Sequence, residues 1–275
     1  MVTPKLIALD LDETVLDRDS RLSPGTRAAF ERAIAKGVEI VVATGRAMDT
    51  LPQEIRSFPG IRYAITGNGA AVYDLTTGEA LVRHLVPEQA VEQIIQLTQG
   101  ENATLEVFLH GKAYAQADYI QHPERFMADA QTKAYVQTTR NPVPDIAAFA
   151  RTHRQELDSI DLVVADLDTK ARLREKLRTV DGVYITTSVS RLLEVSNEAC
   201  GKHRGLQFLA ERLGIAQADT AAFGNADNDA EMLRWSGFGV AVDNASPGCK
   251  ASADHIAPPC WEDGVAQTFE TVFSI

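Results

Sequence analysis

Two aspartates one residue apart, Asp10 and Asp12, follow the apolar segment at residues 5–9. The apolar segment predicts a strand, and the two acids lie at its carboxyl end. In an open α/β sheet, ligands bind at the carboxyl ends of the strands. Strand alternation predicts that both carboxylates point to one side and that Leu11 points to the other. Two acids facing one site repel each other unless a cation or a shared proton separates them. Taken alone, however, the pair fits an acidic turn after a strand equally well.

Three more segments with chemically useful side chains lie at the ends of predicted strands or at the start of a predicted helix. They are Thr44-Gly45-Arg46 after strand 38–43, Lys202 at the start of a helix, and loop 224–229 after strand 220–223. An aspartate can act as a nucleophile, and a second carboxylate can protonate the leaving oxygen and then accept a proton from water. A threonine hydroxyl, a lysine ammonium and a hard cation such as Mg²⁺ can hold phosphoryl oxygens. Together these residue types point to phosphoryl transfer.

The elements that must position these residues alternate regularly near both ends of the chain. Strand, helix, strand, helix and strand follow each other within the first seventy residues, and the rhythm returns after the helix that begins at Lys202. Between them, the strands are shorter and more polar, which is typical of an α+β unit with one open sheet face. The pattern predicts an α/β protein with a doubly wound, mostly parallel sheet at residues 1–83 and 191–275. An α+β domain is inserted at residues 84–190.

Composition narrows the range of partners. The 275 residues are 45% apolar and 24% charged, as is usual for globular proteins, and the net charge is −11. An acidic surface of this kind disfavours nucleic acid and anionic membranes as partners. The three cysteines form no Cys-x-x-Cys pair, and neither a signal peptide nor a membrane-length apolar run is apparent. We therefore expect a cytoplasmic protein that binds a small molecule.

The four chemical segments resemble the ordered motifs of the haloacid dehalogenase superfamily. The matching residues are Asp10-Leu11-Asp12-Glu13-Thr14, Thr44-Gly45-Arg46, Lys202 and Gly224-Asn225-Ala226-Asp227-Asn228-Asp229. The resemblance implies a Rossmann-like core, and the insert is similar to the type II cap of the Cof-like phosphatase branch, which would close over the site. It also implies that Asp10 is the nucleophile, that Asp12 is the general acid/base, and that Thr44 and Lys202 bind and balance the phosphoryl group.

The resemblance further implies a Mg²⁺ cofactor and a set of binding residues. The implied metal ligands are Asp10, Asp12, Asn225 and Asp229, and the implied substrate or phosphate contacts are Leu11, Thr44, Gly45, Arg46, Asn68, Lys202 and Asn228. Three positions depart from the family pattern. Asn225 replaces a usual aspartate and removes one negative charge from the metal ligands, while His203 and Glu13 stand where glycine is common.

The predicted function is that of a Mg²⁺-dependent phosphatase that hydrolyses a small phosphorylated metabolite, such as a sugar phosphate, through an aspartyl-phosphate. Having Asp12 favours phosphate chemistry, because the halide-removing members of the superfamily lack an acid at that position. Two alternatives remain open. One is a phosphosugar mutase of the same superfamily, which needs a second phosphate-binding patch in its cap. The other is a catalytically weak ligand-binding or regulatory protein, which Asn225 keeps under consideration.

Overall fold

The apolar N-terminal segment forms a strand, Leu6–Leu9, whose four side chains are completely buried. The computed structural model describes residues 3–126 and 130–275. In those residues the strands are β1 (Leu6–Leu9), β2 (Glu39–Ala43), β3 (Tyr63–Thr66), β4 (Ala71–Asp74), β5 (Glu79–Arg83), β6 (Ala103–Leu109), β7 (Lys112–Gln116), β8 (Asn141–Val143), β9 (Leu157–Val164), β10 (Val183–Thr186), β11 (Leu192–Asn197), β12 (Thr220–Gly224), β13 (Phe238–Val242) and β14 (His255–Ala257). The helices are α1 (Pro24–Ala35), α2 (Gln53–Arg56), α3 (Glu88–Thr98), α4 (Ala117–Gln121), α5 (Ala130–Thr139), α6 (Ile146–Thr152), α7 (Leu167–Leu177), α8 (Lys202–Leu213), α9 (Ala230–Trp235), α10 (Pro247–Lys250) and α11 (Gly264–Thr271).

An eight-stranded sheet of order β14-β13-β12-β1-β2-β3-β4-β5 forms the first of two units. The five pairings from β14 to β3 are parallel, and β3 pairs antiparallel with β4. Strand β1 lies between β2 and β12. The strands that follow β1 in sequence extend the sheet on the β2 side, and the later strands β12, β13 and β14 extend it on the other side. Such a reversal of strand order opens a crevice at the carboxyl end of the central strand. The predicted α/β class with a mostly parallel sheet is confirmed.

Local capping signals place two helices that support this crevice. Helix α1 begins after Ser23, whose Oγ accepts the N–H of Thr26 (2.9 Å), with Pro24 as its first residue. Helix α8 ends at Gly214, which adopts the left-handed conformation with φ 66°. Both boundaries agree with the sequence pattern, because each depends on neighbouring residues alone.

The first unit contains residues up to Gly45, Leu51–Val82 and Gly201–Ile275, and the second contains Arg46–Thr50 and Arg83–Cys200. The predicted return to the core at residue 191 comes too early, because β11 pairs antiparallel with both β9 and β10 of the second unit. The sequence pattern also places residues 46–50 in the core, whereas the structure places Arg46–Thr50 in the second unit. The Asp49 N–H donates to the Gly111 carbonyl (3.0 Å), and buried Ala47 packs with Phe108.

The second unit has a six-stranded sheet of order β10-β11-β9-β6-β7-β8. Its pairings are antiparallel except for β7 with β8. Alternate residues of β6, β9 and β11, such as Val107, Ile160 and Val195, point into an apolar core that also receives residues of α3, α6 and α7. The sheet thus has one apolar face, as the shorter and more polar strands of the sequence predicted.

A row of buried acids crosses the sheet of the second unit. Glu106 lies opposite Asp161, and Asp161 lies opposite Glu194, on adjacent strands; each of the three is at most 5% exposed. Arg140 donates to Glu106 Oε2 through Nε (2.9 Å) and Nη2 (2.6 Å), and the Tyr119 hydroxyl donates to Oε1 (3.1 Å). Burial raises the pKa of Asp161 well above its ordinary value, and the charges of Glu194 and Glu106 raise it further, against the lowering effect of Arg140.

Replacing Asp161 with asparagine is therefore expected to increase stability at neutral pH. A carboxyl group whose pKa is raised on folding lowers stability as pH rises above its unfolded value of 3.8. An amide removes this cost, so the free energy of unfolding should rise by on the order of 1–2 kcal/mol at pH 7. The gain should shrink as pH falls toward 4, because near the unfolded pKa of 3.8 the carboxyl becomes protonated in the unfolded state as well. Urea unfolding between pH 4 and pH 8 measures this, with exposed Asp168→Asn as control; a variant of lower stability at pH 7 would contradict the expectation.

No helix in the described ranges combines the length and the apolar character needed to cross a membrane.

Candidate active site

Asp10 lies at the carboxyl end of β1, immediately after the last strand residue, Leu9. Its backbone N–H still donates to the Phe223 carbonyl of β12 (3.1 Å), which fixes its position beside the neighbouring strand. Asp10 is only 5% exposed, whereas Asp12 is exposed. The predicted strand alternation stops at Leu9, so the two aspartates differ in environment. Asp12 nevertheless lies close enough for its charge to raise the pKa of Asp10.

The chain turns sharply after Asp10. The Leu11 carbonyl accepts backbone N–H groups from Thr14, Val15 and Leu16 at 3.3, 3.0 and 2.8 Å, and the Leu11 side chain is completely buried. Glu13, at a position where the sequence comparison expects glycine, adopts a left-handed φ of 55°. This is a conformation that costs most L-residues about 1–2 kcal/mol. The turn therefore keeps the glycine-like backbone despite its side chain.

Lys202 links the N-terminal strand to the C-terminal part of the first unit through its contact with Asp10. It is the first residue of α8 and is 1% exposed, and its Nζ donates to Asp10 Oδ1 (2.6 Å) and to Asp229 Oδ1 (2.7 Å). Gly201 precedes it with φ 130°, in a region open to glycine alone. Two buried carboxylates share one buried ammonium, so the ammonium neutralises only part of their negative charge.

Asp229 joins this centre to the loop after β12. Its Oδ2 accepts the backbone N–H groups of Asn225 and Ala226, both at 3.0 Å. A Cβ at Gly224 would lie 2.3 Å from the Asp229 Cβ, so only glycine permits this approach. The Asn225 carbonyl in turn accepts the N–H of Ser246 (2.7 Å). The backbone at residue 225 is thus held from both sides.

Burial and charge repulsion determine the proton affinities in the centre. Burial raises the pKa of Asp10 to about 7; Asp229 adds to the rise, Lys202 opposes it, and Asp12 contributes a smaller increase. Burial lowers the pKa of Lys202, but attraction to Asp10 and Asp229 outweighs this and leaves it above its usual range. Lys202 therefore stays charged, and the centre has an excess of negative charge.

Thr44, Asn68 and Asn228 form a second group of buried polar residues. The Asn68 N–H donates to the Thr44 carbonyl (3.0 Å), the Asn68 carbonyl accepts the N–H of Gly201 (2.8 Å), and the Asn68 Oδ1 accepts Asn228 Nδ2 (2.9 Å). Asn68 adopts a left-handed φ of 54° to make these bonds. It thus connects the segments that carry Thr44, Lys202 and Asn228. Its assignment as a substrate contact stays a prediction.

Arg46 differs from the other predicted site residues because its described contacts lie in the second unit. Its Nη1 donates to the Thr50 carbonyl (3.0 Å), and its guanidinium carbon lies 4.8 Å from the centre of the Tyr135 ring. Gly45, the preceding residue, is the last of the first unit before this segment. The structure thus joins Asp10, Lys202 and Asp229 directly and reaches Asn225 through its backbone.

Sequence reasoning missed two residues that shape the site. Ser246 caps α10, where its Oγ accepts the Cys249 N–H (3.1 Å), and its hydroxyl donates to Asp227 Oδ1 (2.6 Å). The Ser246-Pro247 pair repeats the Ser23-Pro24 signal and could have revealed the cap. Cys249 is completely buried, and burial followed by the charges of Asp229 and Asp10 raises the pKa of its thiol. Nothing in the sequence around Cys249 indicates this proximity.

The donor atoms at the site meet the needs of a hard cation. Asp10, Asp12 and Asn225 offer only oxygen ligands, which Mg²⁺ prefers. The Asn228 Oδ1 is buried and accepts no hydrogen bond from the described residues, so an acceptor is present for a metal-bound water. Among these residues no three His, Cys, Asp or Glu side chains form a metal-ligating group, in keeping with the amide at position 225. The residues fit Mg²⁺ with a reduced ligand charge.

Comparisons with known proteins identify the family and the fold. A family model described as haloacid dehalogenase-like hydrolase matches residues 7–269. The HMP-PP phosphatase of Cronobacter sakazakii is 31% identical over 92% of this chain and 89% of its own length. The 5-amino-6-(5-phospho-D-ribitylamino)uracil phosphatase YcsE of Bacillus subtilis is 27% identical over 96% of this chain and 93% of its own. A solved haloacid dehalogenase-like hydrolase from B. subtilis superposes with a TM-score of 0.86 at 25% identity, covering 98% of this chain and 99% of that chain.

Proposed function

The chain belongs to the haloacid dehalogenase-like hydrolase family, and from this membership we propose that it is a Mg²⁺-dependent phosphatase of small phosphorylated metabolites. The observation that carries the proposal is the buried Lys202, which bridges Asp10 and Asp229 at the carboxyl end of β1. Both relatives are named as phosphatases, and the substrate in the name of the second includes a phosphorylated ribityl group. These relatives support a phosphorylated small molecule as the substrate class.

The proposed reaction uses the two aspartates in separate roles. Lys202 donates to Asp10 Oδ1, so Oδ2 attacks phosphorus, and the bond from phosphorus to the leaving oxygen breaks as the aspartyl-phosphate forms. Asp12 gives its proton to the leaving oxygen and then accepts a proton from the water that hydrolyses the intermediate. The exposure of Asp12 suits this role, because both the leaving oxygen and the hydrolytic water must reach its carboxyl group.

The remaining polar groups hold the phosphoryl oxygens and the charge. We propose that Thr44 and Lys202 bind them, with the backbone at Leu11 and Gly45 and the side chains of Arg46, Asn68 and Asn228 as further contacts. Mg²⁺ held by Asp10, the Asp12 carbonyl and Asn225, with Asp229 beside it, would neutralise charge on the phosphoryl group. Asp10 and Asp229 share the single ammonium of Lys202, which supports a further cation at this place.

Phosphate release from a panel of phosphorylated metabolites, measured with Mg²⁺ and with EDTA, tests the proposal. Release that depends on Mg²⁺ is expected for at least one sugar phosphate or related compound. An isomerised phosphosugar without phosphate release would indicate the mutase instead. A folded protein that binds Mg²⁺ and releases phosphate from none of the compounds would indicate a ligand-binding protein.

Replacing Asn225 with aspartate is expected to tighten Mg²⁺ binding about tenfold and to leave turnover equal or higher. The change adds one carboxylate at a backbone position already fixed by Asp229 and Ser246. Without metal, the same carboxylate adds repulsion, so the melting temperature in EDTA should fall and Mg²⁺ should raise it more than in the wild type. Calorimetric Mg²⁺ titration and thermal melts measure both effects. Asn225→Ala, as the matched control, should weaken binding; lost activity in the aspartate variant would place residue 225 away from the metal.

A further inference from the structure

Residues Arg46–Thr50 follow the proposed phosphate-binding residues Thr44 and Gly45 in sequence but belong to the second unit. The Asp49 N–H bond to the Gly111 carbonyl (3.0 Å) ties the segment to the turn between β6 and β7. Ala47, 3% exposed, packs with Phe108 and Ala113 of those strands. The backbone of the segment is therefore fixed by the second unit, directly after the chain leaves Thr44.

The Arg46 side chain is fixed by the same unit. Its Nη1 donates to the Thr50 carbonyl (3.0 Å), and its guanidinium lies over the Tyr135 ring at 4.8 Å. Both distances are within the range of a hydrogen bond and a cation–π contact. Stacking uses the face of the guanidinium, whereas the N–H donors lie in its plane, where an anion is bound.

The Tyr135 ring is itself anchored. The guanidinium of Arg140 lies 4.8 Å from the same ring and 5.8 Å from Phe108. The side chain of Arg140 is 8% exposed and is held by Glu106 through Nε (2.9 Å) and Nη2 (2.6 Å) and by Thr139 Oγ1 through Nη1 (2.9 Å). Glu106 also neutralises Arg140, which permits a second guanidinium at the ring. A series of contacts thus leads from Glu106 through Arg140 and Tyr135 to Arg46. Arg46 directly follows Gly45 in sequence.

We propose that Tyr135 is a positioning residue, which holds the Arg46 guanidinium in the orientation that binds the anionic substrate. The inference rests on the proposed function, because it needs Arg46 to contact a phosphorylated ligand. Arginine has many side-chain conformations in solution, and the stacked ring removes most of them before substrate arrives. Affinity for substrate then depends on a residue of α5 that need not touch the substrate.

Steady-state kinetics of four variants test the inference on the compound with the highest phosphate release. Tyr135→Leu is expected to raise KM about tenfold and to change kcat less than about twofold, since a ground-state contact is weakened. Tyr135→Phe keeps the ring and should retain the wild-type KM. Arg46→Ala should raise KM at least as much as Tyr135→Leu. The double variant should match Arg46→Ala alone, because Tyr135 acts only through Arg46.

The outcomes separate this inference from the proposed function. Absence of wild-type phosphate release contradicts the proposed function itself. With turnover present, an unchanged KM in Tyr135→Leu, or effects that multiply in the double variant, would overturn the positioning role alone. Arg151→Ala serves as the control for a lost arginine, since Arg151 forms an exposed pair with Glu92 in the same unit. Thermal melts confirm that each variant used is folded.

Discussion

Asp10→Asn is expected to reduce turnover by about four orders of magnitude or more while the protein stays folded. The amide lacks the anionic oxygen that would attack phosphorus, and the nearby carboxylate of Asp229 is bound to Lys202 and to two backbone N–H groups. Asp12 cannot take over, because it is exposed and lies within the turn that the Leu11 carbonyl closes. Phosphate release under saturating Mg²⁺ measures the loss. Retained turnover would show that Asp10 is not the nucleophile.

The same variant should be as stable as the wild type or more stable. The backbone bond from residue 10 to the Phe223 carbonyl remains, and Lys202 keeps Asp229 as a partner at 2.7 Å. Burial raises the pKa of Asp10 to about 7, so the wild type loses stability as pH rises from 3.8 toward 7, and the amide avoids this loss. Asp19→Asn, in the exposed turn that follows, is the matched control and should keep both turnover and stability.

Lys202→Met is expected to lower both turnover and stability. Removing the ammonium leaves Asp10 and Asp229 buried near each other without their cation, and breaking a buried pair in this way costs about 3–5 kcal/mol. Turnover should fall about a thousandfold or more, since the charge that balances the phosphoryl group is lost. Chemical denaturation and phosphate release measure the two effects. A variant as stable as the wild type would contradict the charge balance inferred here.

Two further variants show whether the loss comes from charge. Lys250→Met removes an ammonium from a half-exposed pair with Asp243 (2.7 Å) and should cost less than about 1 kcal/mol. Adding Asp229→Asn to Lys202→Met removes one of the two unbalanced carboxylates and should recover part of the stability without restoring turnover. If the double variant is less stable than Lys202→Met, the ion pairs do not account for the destabilisation.

The sequence predicted those parts of the fold that depend on neighbouring residues. The apolar run before Asp10 forms β1, and the helix predicted to begin at Lys202 begins there. Gly214 supplies the left-handed residue that ends this helix. The predicted family membership is also confirmed by the match of the family model to residues 7–269. Four motifs in a fixed order identify a family far more specifically than any one of them.

Other features depend on contacts between distant segments and leave no local pattern. The asparagine in Gly67-Asn68-Gly69 signals a turn, but its partners are at residues 44, 201 and 228. The acids of the second unit occupy one row only after β6, β9 and β11 pair in register. Likewise, the assignment of β11 and Arg46–Thr50 to the second unit follows from pairing and packing, which hydrophobic periodicity does not encode.

The division of the chain between its two units limits how the second unit can be inherited. The chain passes from one unit to the other after Gly45, Thr50, Val82 and Cys200. A recombination event that exchanged residues 83–200 alone would combine a foreign Phe108 and Ala113 with a resident Ala47, and a foreign Tyr135 with a resident Arg46. An exchange between relatives that preserves these contacts must therefore transfer the pentapeptide Arg46–Thr50 together with the longer fragment, although the two pieces are separate in sequence.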